Sequence, residues 1–386
     1  MLIPIRYNIR YLWTRWKSTA LTATTFALVV ATFIISMSLA EGIERALTKT
    51  GDPLNVLVMR PAAQSEAQSE VFITQYQIVR NAPGMVRDGA GTALAVPEIL
   101  ALVNKPRKNG KTANVVIRGG GPNSFRLRPA VQIVEGRNYR PGMREVVVAR
   151  PLAQRFQSFG MGDVLRLGRG DFTVVGLFEA EGTAFASEVW ADADEIMQEF
   201  DRHFYSIVLA RAVDLDGVEE IKQYVDGDRR LKLKAQTESQ YFAEQTKTAA
   251  PIKAFASFLA TTMAVGACFA GMNTMYANVA NRVREIGTLR IVGFSPGAVL
   301  TSFLIESVCL ATLGGVLGCG LALPVNGIAT GTTNFASFSE ILFYFTITPA
   351  LMGKGLVFAA VMGLVGGFPP AYAASRQPVL SALRQV

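Results

Sequence analysis

Several short stretches of this 386-residue chain place reactive side chains at spacings that could do chemistry. Gly110-Lys111-Thr112 ends like a phosphate-binding loop, but that loop needs a glycine five positions earlier, where Lys105 stands. Asn109-Gly110 is instead the signature of a tight hairpin turn. Asp192, Asp194, Glu195, Glu199 and Asp201 could gather a hard cation, yet on a helical stretch they read as a solvated acidic face. The single histidine, His203, has Phe204 and Tyr205 beside it and no paired Cys or carboxylate pattern. Neither a zinc site nor a Ser/His/Asp or Cys/His relay can be assembled around it. Cys268, Cys309 and Cys319 all fall in apolar runs, where a thiol behaves as a small hydrophobe, so no disulfide framework is argued.

The elements that must position any functional residue are written in composition and charge. Half of the residues are hydrophobic and the mean hydropathy is +0.28, which points to a membrane protein. The net charge of +8 is uneven. Residues 41–253 hold 28 Lys/Arg against 27 Asp/Glu, while the rest holds 10 Lys/Arg against only Glu285, Glu306 and Glu340. A nucleic-acid partner is therefore not expected, because the polar stretch that would carry a basic face is almost neutral.

A helix crossing the hydrocarbon core needs roughly 20 apolar residues, since its backbone groups must be satisfied within the segment. Four stretches qualify: 18–40, 254–281, 296–323 and 351–372, with Pro324 and Pro349 marking ends. The first lacks a convincing cleavage site and reads as a retained anchor. Arg6, Arg10, Arg15 and Lys17, then Arg282, Arg284 and Arg290, then Arg376 and Arg384 flank the spans and belong on one side of the membrane. Both termini (1–17 and 373–386) and the 282–295 segment are thus expected in the cytoplasm, with 41–253 and the 324–350 loop outside. Tyr7, Tyr11, Trp13 and Trp16 among basic residues suit a helix lying against membrane lipids, or a plain aromatic and basic flank.

Residues 41–253 read as an inserted domain of mixed α and β type. Strands are expected at 55–59, 114–117, 145–149, 164–167, 172–178 and 205–210, and helices at 66–80, 151–159, 192–200 and 217–225. Glu306, a carboxylate inside the third span, has two readings, proton or substrate handling and a structural role in the bundle. The second is favoured, because no second acid, His or basic partner stands near it in the sequence. Gly314, Gly315 and Gly318, with Gly320, Gly363, Gly366 and Gly367, form small-residue faces for close helix packing.

The run NRVREIGTLRIVGFSPGAVLTSFLIESVCLATLGGVLG, 281–318, carries a resemblance. Arg282, Arg284, Glu285, Ile286, Gly287, Leu289, Arg290 and Gly293, followed by Glu306-Ser307 and the glycines, resemble the FtsX-like permease family in their order. The ending PPAYAASRQPVLSALRQV also looks like that family, though Tyr372 and Ala373 stand where basic residues are common. VEGRNYRPGMREVVVARPLAQRF, MGDVLRL and FTVVGLFEA resemble MacB-like periplasmic domains. The resemblance implies a type VII, mechanotransmission ABC permease: four transmembrane helices with a large extracytoplasmic α/β domain between the first two, in the bacterial inner membrane.

That family implies a coupling helix over 282–295 that docks on a cytoplasmic ABC ATPase from another polypeptide. Ile286, Leu289 and Ile291 would supply apolar contact, and Arg284, Glu285 and Arg290 the charged rim. Gly287 and Gly293 permit turns or close approach. No catalysis and no bound cofactor are expected of the chain itself, with ATP and Mg on the ATPase. A second permease, identical or not, and a periplasmic adaptor protein are further implied partners. The work done would be export or extraction of a lipid, lipoprotein, peptide or drug. The alternative is regulatory activation of a cell-wall hydrolase. A secondary transporter would need more spans with paired intramembrane charges.

Overall fold

A computed structural model of the chain describes residues 16–180, 182–246, 250–333 and 340–377. The expected lipid-facing helix before Trp16, and Pro378, Ala382, Leu383 and Arg384 of the C-terminal pattern, lie outside them. Two compact units emerge: Met1–Glu41, Pro251–Ile328 and Phe345–Val386 make the first, Gly42–Ala250 and Ala329–Tyr344 the second. Among the described residues, four helices long and apolar enough to cross a membrane flank a large α/β domain, the architecture expected from the sequence.

The first unit is built from α1 (Trp16–Thr48, whose last turns pass into the second unit), α2 (Ala250–Asn281), α3 (Val283–Ile291), α4 (Pro296–Ala322) and α5 (Pro349–Ser375). The apolar run of α1 stops at Ala40, but the helix does not, because Glu41, Glu44 and Arg45 are good helix formers. Ser295 and Thr348 cap α4 and α5 through their hydroxyls, each followed by proline at the first helical position. Phe26, Val30, Ile34, Ala311, Leu351, Ala359 and Met362 form one buried cluster. Lys354 reaches Glu41 at 3.5 Å.

Small residues let these helices approach. A Cβ at Gly318 would stand 2.6 Å from the Ala27 carbonyl oxygen, one at Gly314 2.7 Å from that of Ala23, and one at Gly315 2.8 Å from Ala359 Cβ. Ser307 Oγ donates to the Gly363 carbonyl at 2.8 Å. With lipid as apolar as leucine, such close contact and interhelical hydrogen bonds are what hold spans together.

The second unit is a mixed sheet of ten strands among the described residues: β1 (Asn55–Met59), β2 (Ala95–Pro106), β3 (Thr112–Gly120), β4 (Gln132–Gly136), β5 (Glu145–Ala149), β6 (Val164–Leu167), β7 (Gly170–Glu179), β8 (Glu188–Asp192), β9 (Ile207–Arg211) and β10 (Lys234–Thr237). Their spatial order is β10-β1-β9-β2-β3-β8-β5-β7-β4, with β6 on β7. The β3–β8 and β5–β7 pairs are parallel and the others antiparallel. β1, β5 and β8 are buried at every position, as strands covered on both faces must be. Asn109-Gly110 turns β2 into β3, with Gly110 at φ +81°.

Two expected helices are corrected: the one over 151–159 covers only Arg150–Arg155. The helix expected over 66–80 is a 3-10 turn (Glu66–Gln68), a two-residue strand (Val71–Phe72) and a helix only over Ile73–Val79. Val71 and Phe72 are drawn off by pairing with Tyr205 and Phe204. The 324–350 loop carries a hairpin, β11 (Ala329–Thr333) and β12 (Glu340–Tyr344), which belongs to the α/β unit.

Within this unit lies a buried charged hub. Arg118 Nε and Nη2 donate to Glu188, Nη1 to Glu98, and Nη1 and Nη2 to Glu66, at 2.7–3.3 Å. Arg128 binds Glu98 and Glu238. Four carboxylates face two guanidiniums. Burial pushes the Glu66 carboxyl above its ordinary range despite the opposing pull of Arg118. Burial raises Glu98 too, but Arg128 and Arg118 together outweigh it and hold that carboxyl low.

Candidate functional site

The stretch that combines charge with exposed apolar residues is α3 and its flanks. Arg282 occupies the N-cap position, and its backbone carbonyl accepts the first helical bond from Ile286 N at 2.9 Å. Its side chain is buried. Nη1 donates to Glu306 Oε2 on α4 at 2.9 Å, Nε donates to Glu285 at 3.1 Å, and the guanidinium lies 5.1 Å from the Phe303 ring centroid. Glu306 stands alone in its own stretch of sequence but not in the fold: its partner, Arg282, opens the connection between α2 and α4, 24 residues earlier.

The far end of α3 is closed by a Schellman motif. Gly293 N donates to the Arg290 carbonyl and Phe294 N to that of Leu289, at 3.3 and 3.1 Å. Gly293 sits at φ +102°, a conformation that side chains with a Cβ avoid. Cap and Schellman turn fix the length of the helix, so its faces are set.

Those faces divide the expected docking residues. Ile286 is 3% exposed and packs with Met275, Val279, Val299, Phe303, Ala371 and Ala374, so it anchors α3 within the bundle and is not on an open face. Gly287 is buried beside it. Leu289 and Arg290 are half-buried. Arg284 and Glu285 are exposed, Ile291 is 57% exposed, and the adjoining Val292, which sequence reasoning did not single out, is 73% exposed. Val292 ends the helix, and its apolar character next to Ile291 was the signal that could have found it. The result is a helix pinned on one side and presenting an apolar tip with charges beside it on the other, the composition of a protein contact.

Comparison with known proteins gives this geometry a context. The MacB-like periplasmic core domain family matches residues 19–227, more than half of the chain. The chain belongs to the MacB/FtsX-like family of ABC transporter permeases. The FtsX-like permease C-terminal family matches residues 257–379, a range that takes in α3 and the Arg282–Glu306 pair. As a permease of this type with four helices able to cross a membrane among its described residues, it is a multi-pass membrane protein.

The pyoverdine export ATP-binding/permease protein PvdT of Pseudomonas entomophila is 26% identical over 420 residues, covering 99% of this chain and 60% of that protein. The macrolide export ATP-binding/permease protein MacB of Brucella abortus is 24% identical over 230 residues, covering 56% of this chain and 34% of that protein. An uncharacterized ABC transporter permease of Bacillus subtilis, YknZ, is 32% identical over 113 residues, 29% of this chain and 26% of that one. The chain thus spans about three fifths of the length of PvdT. Among solved structures, the extracellular domain of YknZ aligns with a TM-score of 0.37 and 12% identity over 47% of this chain and 100% of that one. The periplasmic region of MacB from Actinobacillus actinomycetemcomitans aligns with a TM-score of 0.37 and 10% identity over 49% of this chain and 91% of that one.

Proposed function

We propose that this permease converts the nucleotide-driven stroke of an ABC ATPase into movement of its α/β domain, and that the stroke enters through α3. The observation that carries this reading is the division of α3: an outward side of Arg284, Glu285, Ile291 and Val292, and an inward side tied to the spans by Ile286 and the Arg282–Glu306 pair. A load on the outward side is passed to α4 through a charge-assisted bond and to α2 and α5 through packing. Gly314, Gly315 and Gly318 keep α4 close to α1 and α5, so the helices respond as packed bodies.

In this reading both termini and α3 face the cytoplasm, the α/β domain lies outside the bacterial inner membrane, and ATP with Mg is bound by the ATPase. Two permeases pair, and the α/β domain meets substrate or an adaptor protein. Export or extraction from the outer side is favoured over hydrolase regulation by the relatives, whose names say macrolide and pyoverdine export. The test is co-purification from native membranes, followed by ATP turnover with Arg284→Ala, Glu285→Ala and Ile291→Asp. Loss of ATPase association or stimulation with an intact fold supports the reading, and unchanged turnover in all three rejects it.

A further inference from the structure

Glu340 is one of three acids outside the large insert, and the coupling motif leaves it unexplained. It opens β12, and its side chain is 3% exposed. Burying a carboxylate is costly unless it is paired. Here two guanidiniums hold it: Arg107 bonds Oε2, and Arg155 Nη2 stands 2.8 Å from Oε1. Arg107 follows β2, and Arg155 ends the short helix Arg150–Arg155.

The seat is rigid. Lys108 N donates to the Arg155 carbonyl at 2.9 Å and Gln157 N to that of Pro106 at 3.1 Å, so the segments that carry the two arginines are joined by backbone hydrogen bonds. Leu342 N donates to Ser187 Oγ at 2.6 Å, and Leu342 and Phe343 are buried. At Gly331, paired across the hairpin with Leu342, a Cβ would collide with the Glu340 carboxylate. A two-stranded hairpin alone is marginal in water, so this one depends on its seat.

The chain leads to this hairpin from α4 and away from it into α5. Leu323–Val325 form a 3-10 turn, Gly327 and Ile328 pair with Phe345, and Asn326 Oδ1 accepts from Ile347 N at 2.9 Å. We propose that Glu340, seated between Arg107 and Arg155, is a latch that carries displacement of α4 and α5 into the α/β domain, a second route beside the chain crossings at α1 and α2. Glu340 is a positioning residue that acts through the two arginines. The inference rests on the force-transmitting reading and adds where the force enters the domain.

The test uses the full chain in lipid nanodiscs with its co-purified ATPase, read by hydrogen exchange with and without ATP. Glu340→Gln keeps the size and removes the charge. Exchange over 329–344 is expected to rise about tenfold or more, as loss of a charged hydrogen bond allows. The ATP-dependent exchange change in β2, β3 and β5 is expected to vanish while ATP turnover persists. Arg155→Gln, on the domain side, must reproduce both effects, and Glu340→Asp must restore part of the ATP response. Unchanged hairpin exchange in both charge-removing variants overturns the latch. So does an opened hairpin with an intact ATP response. A wild-type domain that never responds to ATP sinks the force-transmitting reading itself, and the latch with it, whatever the hairpin does.

Discussion

Arg282 donates to Glu306 across two helices, from the N-cap of α3 to the buried face of α4, at 2.9 Å. Removing either partner leaves the other charge buried. Glu306→Ala and Arg282→Ala should each destabilise the bundle by about 3–5 kcal/mol, as broken buried pairs do. A double replacement by leucine should recover much of that stability. Thermal unfolding in nanodiscs checks both, and additive losses in the double variant would argue that the pair is not coupled.

The two isoleucines of α3 should separate stability from coupling. Ile286→Ala should cost about 2–5 kcal/mol, because Ile286 fills a packed site between α2, α4 and α5. Ile291→Asp should leave the melting temperature nearly unchanged and abolish ATPase stimulation. A melting temperature that falls as far for Ile291→Asp as for Ile286→Ala would contradict the assigned faces.

Glycine positions give a third test. Gly318→Val should cost about 1–3 kcal/mol by overpacking, since its Cβ would meet the Ala27 carbonyl oxygen. Gly293→Ala meets open space but must adopt φ +102°, so a backbone cost of about 1–3 kcal/mol is expected there. Suppression of the Gly318→Val defect by Ala27→Gly would not be expected, because the obstacle is backbone oxygen.

The hub sets a pH dependence. Glu66 has a raised folded pKa, so its contribution is fully present below its ordinary value of 4.5 and is lost as pH rises through the folded value. Glu98 has a lowered one, so its contribution is present above 4.5 and is lost as pH falls through its folded value. The domain should therefore be most stable in mildly acidic solution, and Glu66→Gln should flatten the decline on the alkaline side. Buried Trp190, bonded to Glu188, reports this by fluorescence in a chain carrying Trp13→Phe and Trp16→Phe.

What could be read from the sequence was whatever a single segment decides for itself. The four helices are legible because lipid demands local satisfaction of the backbone, and Asn55–Met59 and Glu145–Ala149 because β-branched runs favour a covered strand. Glu188–Asp192 was missed because its glutamate looks solvent-bound until Arg118, 70 residues away, is brought to it. Ala95–Pro106 was missed because Pro97, Asn104 and Lys105 interrupt the apolar pattern. In the candidate site the motif residues were legible by type. Their division into inward and outward faces was not, because it is set by Phe303 and Glu306 on another helix.

β1 and β10 pair antiparallel, Val56 opposite Thr237, so the strand that follows α1 lies beside the strand that precedes the last short helix before α2. Adjacent strands lie about 4.8 Å apart, and a few glycines would bridge that gap. The domain is thus modular at its ends: it could be excised, circularly rejoined or grafted onto another anchor without opening the sheet. What excision would leave behind is the β11–β12 hairpin, and a transplanted domain would show a vacant basic socket at Arg107 and Arg155.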